Sequence, residues 1–160
     1  MKWYDKKNGC GFSYGADWSG FNIPLKNVRE CYNRLNKPET PYDKIMDSIL
    51  DKLKIKFEDA YLIGCSNTKD SVFKHEVCHA LYYTDKNYKK QMDNLTEGLP
   101  KKYYDVFKKN LIQMGYASKV VKDEIQAYLQ YGYNENQFGR GVDIRVRKEY
   151  SDIYKSAANK

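Results

Sequence analysis

Histidine is almost missing from this chain: there are two in 160 residues, His75 and His79. A metal centre built on three histidines is excluded by that count. Cysteine is also scarce, and the four present, Cys10, Cys31, Cys65 and Cys78, show no C-x-x-C spacing. That rules out a zinc ribbon and a thioredoxin-like motif, and reduced thiols are the default reading. No stretch approaches the ~20 apolar residues of a membrane span, and the polar opening residues 1 to 7 are not followed by the apolar core of a secretory leader. A cytoplasmic protein without a membrane partner is the expectation. There is no internal repeat, no linker and no glycine-rich phosphate loop with its lysine. Acidic residues are in deficit, 21 against 28 Lys and Arg, for a formal net charge of +7. Such a balance attracts polyanions. The lysine pairs at 89–90, 101–102 and 108–109 alternate with Asp and Glu, however, so a solvated surface is favoured over a specific nucleic-acid face.

The two histidines that do occur stand in Phe73-Lys74-His75-Glu76-Val77-Cys78-His79-Ala80-Leu81-Tyr82, the pattern H-E-x-x-H. On a helix the two imidazoles lie about 40° apart on one face, and Glu76 flanks His75 at about 100°. Two neutral imidazoles suit Zn²⁺, and a carboxylate beside the open coordination position can take a proton from an acidified water. Asp70 or Ser71 is a suitable N-cap, and Val72, Phe73, Val77, Ala80 and Leu81 supply an apolar stripe at helical spacing. Cys78, inside the motif, reads as a small buried hydrophobe rather than a ligand.

A catalytic zinc takes three protein ligands and keeps one position open. With no third histidine, the remaining ligand has to be a carboxylate or a cysteine. Glu124, in the strongly helical Val121-Lys122-Asp123-Glu124-Ile125-Gln126-Ala127-Tyr128-Leu129, is the preferred candidate. Ala127 and Tyr128 share its face, allowing close approach of the backbone and a phenol aimed at the metal. Asp123 points about 100° away and is the weaker choice, and both acids also read as a solvated face.

This combination resembles the gluzincin branch of the zincin-like metallopeptidases, over roughly residues 58 to 131. The resemblance implies a zinc ion held by His75, His79 and Glu124, Glu76 as general base, and hydrolysis of a peptide or protein substrate. The best-known members carry an aspartate four positions after the ligand glutamate, where it orients a metal histidine; here that position is Tyr128. The chain also looks like phage and bacterial proteins of this type, which implies no substrate.

Around the motif, residues 10 to 24 are rich in glycine and aromatics and read as short strands or an extended loop, with Trp18 and Phe21 plugging the core or lining a substrate groove. Helical spacing marks residues 25 to 35 and 42 to 53. Residues 58 to 65 form the best strand, either an interior core strand or, as the resemblance implies for some strand here, the sheet edge that receives extended substrate. Short helices follow at 88 to 95 and 103 to 114, Gly115 ends the second, and Ser118 caps the Glu124 helix, which has to return antiparallel past the site helix. A possible strand at 142 to 146 precedes a charged, helical tail. Tyr128, Tyr131 or Tyr133 could donate a hydrogen bond to a developing oxyanion, although with sixteen tyrosines packing is the ordinary explanation.

The expectation is therefore one domain over residues 1–160. It is α+β and mostly helical, with a small sheet before the metal helix. The fold is zincin-like, the cofactor is Zn²⁺, and Glu76 and Tyr128 are the residues acting on substrate. A metal-stabilised interaction protein without catalysis is the alternative reading, and a basic nucleic-acid-binding protein a more distant one.

Overall fold

The computed structural model describes residues 20–34, 41–53, 56–138 and 142–159. Trp18, the glycine-rich stretch before it, the breaker at 36–40 and the glycines at 139 and 141 lie outside the described residues. The chain is a mostly helical α+β protein with a two-stranded antiparallel sheet. Strand β1 (Gly20–Pro24) leads directly into α1 (Leu25–Arg34), and α2 (Pro41–Lys52) follows. A turn of 3₁₀ helix at Phe57–Asp59 then opens β2 (Tyr61–Cys65), so the expected strand starts three residues late. Phe21 pairs with Gly64 and Asn22 with Ile63. Gly64 makes room for the Phe21 ring, which a β-carbon there would displace.

The motif helix α3 (Ser71–Thr84) starts where Asp70 accepts a hydrogen bond from the Phe73 amide at 3.0 Å. This satisfies one of the donors that every helix start leaves open. Asp85 ends α3 and begins α4 (Lys86–Glu97): its amide donates to the Leu81 carbonyl, and its side chain accepts from the Asn87 and Tyr88 amides. Helix α5 (Lys101–Gln113) stops at Gly115, whose φ of 99° is a conformation suited to glycine.

A 3₁₀ turn at Ser118–Val120 precedes α6 (Val121–Gln130). Ser118 does not cap α6; the cap position is Val120, without a side-chain bond. After α7 (Glu135–Phe138) comes α8 (Ile144–Ala158). The strand expected at 142–146 is helix from Ile144 onward. Val142, Ile144 and Val146 alternate as a strand would, but Val146, Tyr150, Ile153, Tyr154 and Ala157 continue at helical spacing and all pack on the core. Ile144 is 71% exposed, and the Asp143 side chain caps the helix by accepting from the Arg145 amide.

Helix α6 is central, touching α3, α4, α5 and α8. Its Val121, Ile125 and Leu129 join Tyr88, Met92, Phe107, Leu111, Phe138 and Tyr150 in one buried cluster, in which Phe107 and Phe138 stack at 4.6 Å. Burying six of its ten residues leaves α6 little freedom to shift. Among the described residues no helix is long and apolar enough to cross a membrane.

Candidate metal centre

Two helices and one strand build the site. Helix α3 presents His75, Glu76 and His79, with His79 and Glu76 only 3% and 8% exposed. Helix α6 runs antiparallel to it, bringing its first turn to His79 and its C-terminal end to His75. Each ring is fixed through its outer nitrogen. His75 Nδ1 donates to the Tyr131 carbonyl at 2.9 Å, and His79 Nδ1 donates to Asp123 Oδ1 at 2.8 Å. Both bonds fix a proton on Nδ1 and turn the two Nε2 atoms inward.

The two Nε2 atoms are 3.2 Å apart. Glu124 Oε2 completes a triangle, 3.9 Å from His75 Nε2 and 3.7 Å from His79 Nε2. For ligands about 2.0–2.1 Å from a tetrahedral ion, neighbouring donor atoms lie about 3.3 Å apart. The three atoms are thus spaced to share one cation. Glu124 Oε2 is also buried without a hydrogen-bond partner, an arrangement that costs free energy unless something positive meets it. Two imidazole nitrogens and a carboxylate form a group that could hold a metal ion.

The buried acids draw positive charge to this corner, and in the absence of a cation a proton on His79 supplies it. Burial, helped by the neighbouring His79, pushes the His75 pKa down to about 4. Burial opposes charge on His79 too, but the hydrogen bond and charge of Asp123, aided by Glu124 and Glu76, prevail and raise it to about 9. Burial lifts Glu124 to about 7 against the pull of His79. Acids crowded into a poorly hydrated corner favour positive charge between them.

Glu76 lies beside the triangle, and β1 covers it. Its Oε2 accepts from Asn22 Nδ2, and Asn22 Oδ1 accepts from the Tyr61 hydroxyl. Gly20, two residues before Asn22 and on the same strand face, lets β1 come close: a β-carbon there would stand 2.7 Å from Val72 and 3.3 Å from Glu76 Oε1.

His75, His79, Glu124, Glu76 and Asn22 open on a cleft of about 450 Å³, lined also by Phe21, Tyr116, Tyr128 and Tyr131. Tyr128 lies one turn beyond Glu124, its ring edge-on to His75 at 4.7 Å and its hydroxyl 3.3 Å from that of Tyr116. Tyr131 contributes its carbonyl, while its ring packs on Tyr154. Tyr133 is turned away from the cleft, against Phe107 and Phe138, because Gly132, at φ 94°, reverses the chain after Tyr131. Cys78 is fully buried, its thiol on the Lys74 carbonyl.

Sequence reasoning brought His75, Glu76, His79, Glu124 and Tyr128 to one cleft. It ranked Asp123 below Glu124 as a ligand and did not see that this carboxylate, rather than one four residues after Glu124, orients His79. It missed Asn22, Tyr61 and Tyr116, which carry no local signal. No protein-family model, no curated protein and no solved structure matches this chain.

Proposed function

We propose that the chain is a zinc-dependent metallopeptidase of the zincin-like, gluzincin type, acting on a peptide or protein in the cytoplasm. The observation that carries the reading is the convergence of His75 Nε2, His79 Nε2 and Glu124 Oε2 within 3.2–3.9 Å at the floor of an open cleft, next to a buried glutamate. A bound Zn²⁺ there would supply Lewis acidity, acidifying a water and polarising a substrate carbonyl.

The protein's own residues do the rest. His75 and His79 present Nε2 to the site because Tyr131 and Asp123 hold the Nδ1 protons on the far side. His79, whose pKa is raised to about 9, would release its Nε2 proton as a cation binds. Glu76 accepts a proton from the attacking water as its oxygen bonds to the carbonyl carbon. The same carboxyl returns that proton to the nitrogen as the C–N bond breaks, leaving a carboxylate and an amine. Tyr128 and Tyr116 stand on the cleft wall, and burial raises both phenol pKa values, so both hydroxyls keep their protons as donors to a developing oxyanion.

The test is metal content followed by turnover. Protein purified without a metal-binding tag is expected to hold near-stoichiometric zinc, with His79→Ala and Glu124→Ala losing it. Glu76→Gln is expected to keep the metal while cleavage of a peptide library falls by at least about 100-fold. A wild-type protein that takes up no zinc when it is supplied overturns the reading.

A further inference from the structure

We infer that Asn22 and Tyr61 are positioning residues for the general base, a Tyr61–Asn22–Glu76 hydrogen-bond relay that fixes the Glu76 carboxylate for proton transfer. This rests on the peptidase reading and adds to it a part of the machinery supplied by the sheet rather than by the metal helices.

The relay begins with sheet register. Asn22 lies opposite Ile63 and Pro24 opposite Tyr61, so Asn22 and Tyr61 are diagonal neighbours on one face of an antiparallel pair, within reach of a long side chain. That face is the one β1 turns to α3, as Gly20, two residues away, shows by its approach to Val72 and Glu76. Tyr61 donates its hydroxyl proton to Asn22 Oδ1. The carboxamide is thereby held with its NH₂ end towards α3, and Nδ2 donates to Glu76 Oε2. The Tyr61 ring is braced against Tyr83 at 5.3 Å, which limits its own swing.

The chemistry explains why an amide suits this place. A lysine or arginine on Glu76 would hold it equally well but would set a second cation beside the proposed metal site, repelling the first. An unpartnered carboxylate would rotate about its last torsion, a broad and weakly restrained one. A neutral donor fixes the carboxylate plane without adding a charge to the site, and proton transfer demands that geometry before anything else. Asn22 acts through Glu76, whose Oε2 takes its Nδ2 hydrogen bond.

The experiment uses zinc-loaded wild type, Asn22→Ala, Tyr61→Phe and Glu76→Gln, with zinc content, thermal midpoint, kcat and KM measured on a cleaved peptide. Affinity for a simple hydroxamic acid, which chelates zinc and gives a proton to an adjacent carboxylate, is the readout independent of turnover. Asn22→Ala is expected to lower kcat about 10–100-fold with KM within about twofold, and to weaken hydroxamate binding by a similar factor at unchanged zinc content. Tyr61→Phe, which removes one hydroxyl and keeps the ring, is expected to move both in the same direction by a smaller factor. Wild-type kcat and hydroxamate affinity in Asn22→Ala overturn the relay alone. Loss of zinc or of fold in Asn22→Ala, with Tyr61→Phe unchanged in kcat, also overturns it, since the pair would then be structural. Zinc-loaded wild type that neither cleaves peptide nor responds to Glu76→Gln removes the peptidase reading and the relay together.

Discussion

Asp123 and Glu124 are consecutive in sequence, yet they meet opposite edges of the same imidazole. Glu124 Oε2 faces Nε2 of His79 at 3.7 Å, and Asp123 Oδ1 receives Nδ1–H at 2.8 Å. Gln126 donates to the same Asp123 oxygen at 3.0 Å and is itself bonded by the Tyr88 hydroxyl. The orienting carboxylate is therefore anchored in the core. Asp123→Asn, which keeps an acceptor and removes the charge, is expected to weaken zinc binding about 10–100-fold, the usual effect of losing an outer partner. Competition with a chelating dye measures it, and unchanged affinity would show that Asp123 only packs. The helical arithmetic that placed Asp123 about 100° from Glu124 set it aside as a ligand and hid this other contact, because a ring nitrogen on the far edge lies in another direction. Asn22 was illegible for a different reason. It is 54 positions from Glu76, and no local pattern says which strand will cross which helix.

Elements were legible where apolar spacing had one period and not where two periods overlapped. Helices α1 to α6 follow the 3.6-residue stripe, whereas the start of α8 fits both alternation and helix until the later residues decide it. The junction of α3 and α4 is held by Asp85 as a double cap and by Asp93, which accepts from the Tyr82 hydroxyl and from Lys89 Nζ at 2.7 Å. Partial burial works to raise the Asp93 pKa, but the bonds from Lys89 and Tyr82 outweigh it and lower the value. A carboxyl depressed in the folded state adds stability that is present above its unfolded pKa, about 4, and is lost as pH falls through the folded value. Asp93→Asn is thus expected to unfold in urea with a stability deficit at pH 7 of under about 1 kcal/mol, since the pair is partly solvated. The deficit should shrink as pH falls below about 4 and vanish once the folded-state value has been passed, and one that persists through acid titration would assign the effect to packing.

At the scale of the whole molecule, the three candidate ligands join α3 to α6, the helix that the rest of the core surrounds. Anything bound by the folded chain and not by the unfolded one stabilises it by mass action. Zinc at about a thousand times its dissociation constant is expected to add about 4 kcal/mol, a rise in thermal midpoint of roughly 10 °C for a domain of this size. A strong chelator should remove that increment, and Glu124→Ala should be insensitive to both additions. A midpoint indifferent to zinc and chelator in the wild type would mean that the cluster holds no ion of consequence to the fold.

The ten-residue α6 grips the motif at both extremities. Asp123 and Glu124 meet His79 in its opening turn, and Tyr131, just past its last residue, takes the His75 ring proton. About 10 Å of rigid helix separates the two attachments. The histidines are therefore set as a pair by one inflexible part. A rigid tilt of α6 would thus shift both attachments together.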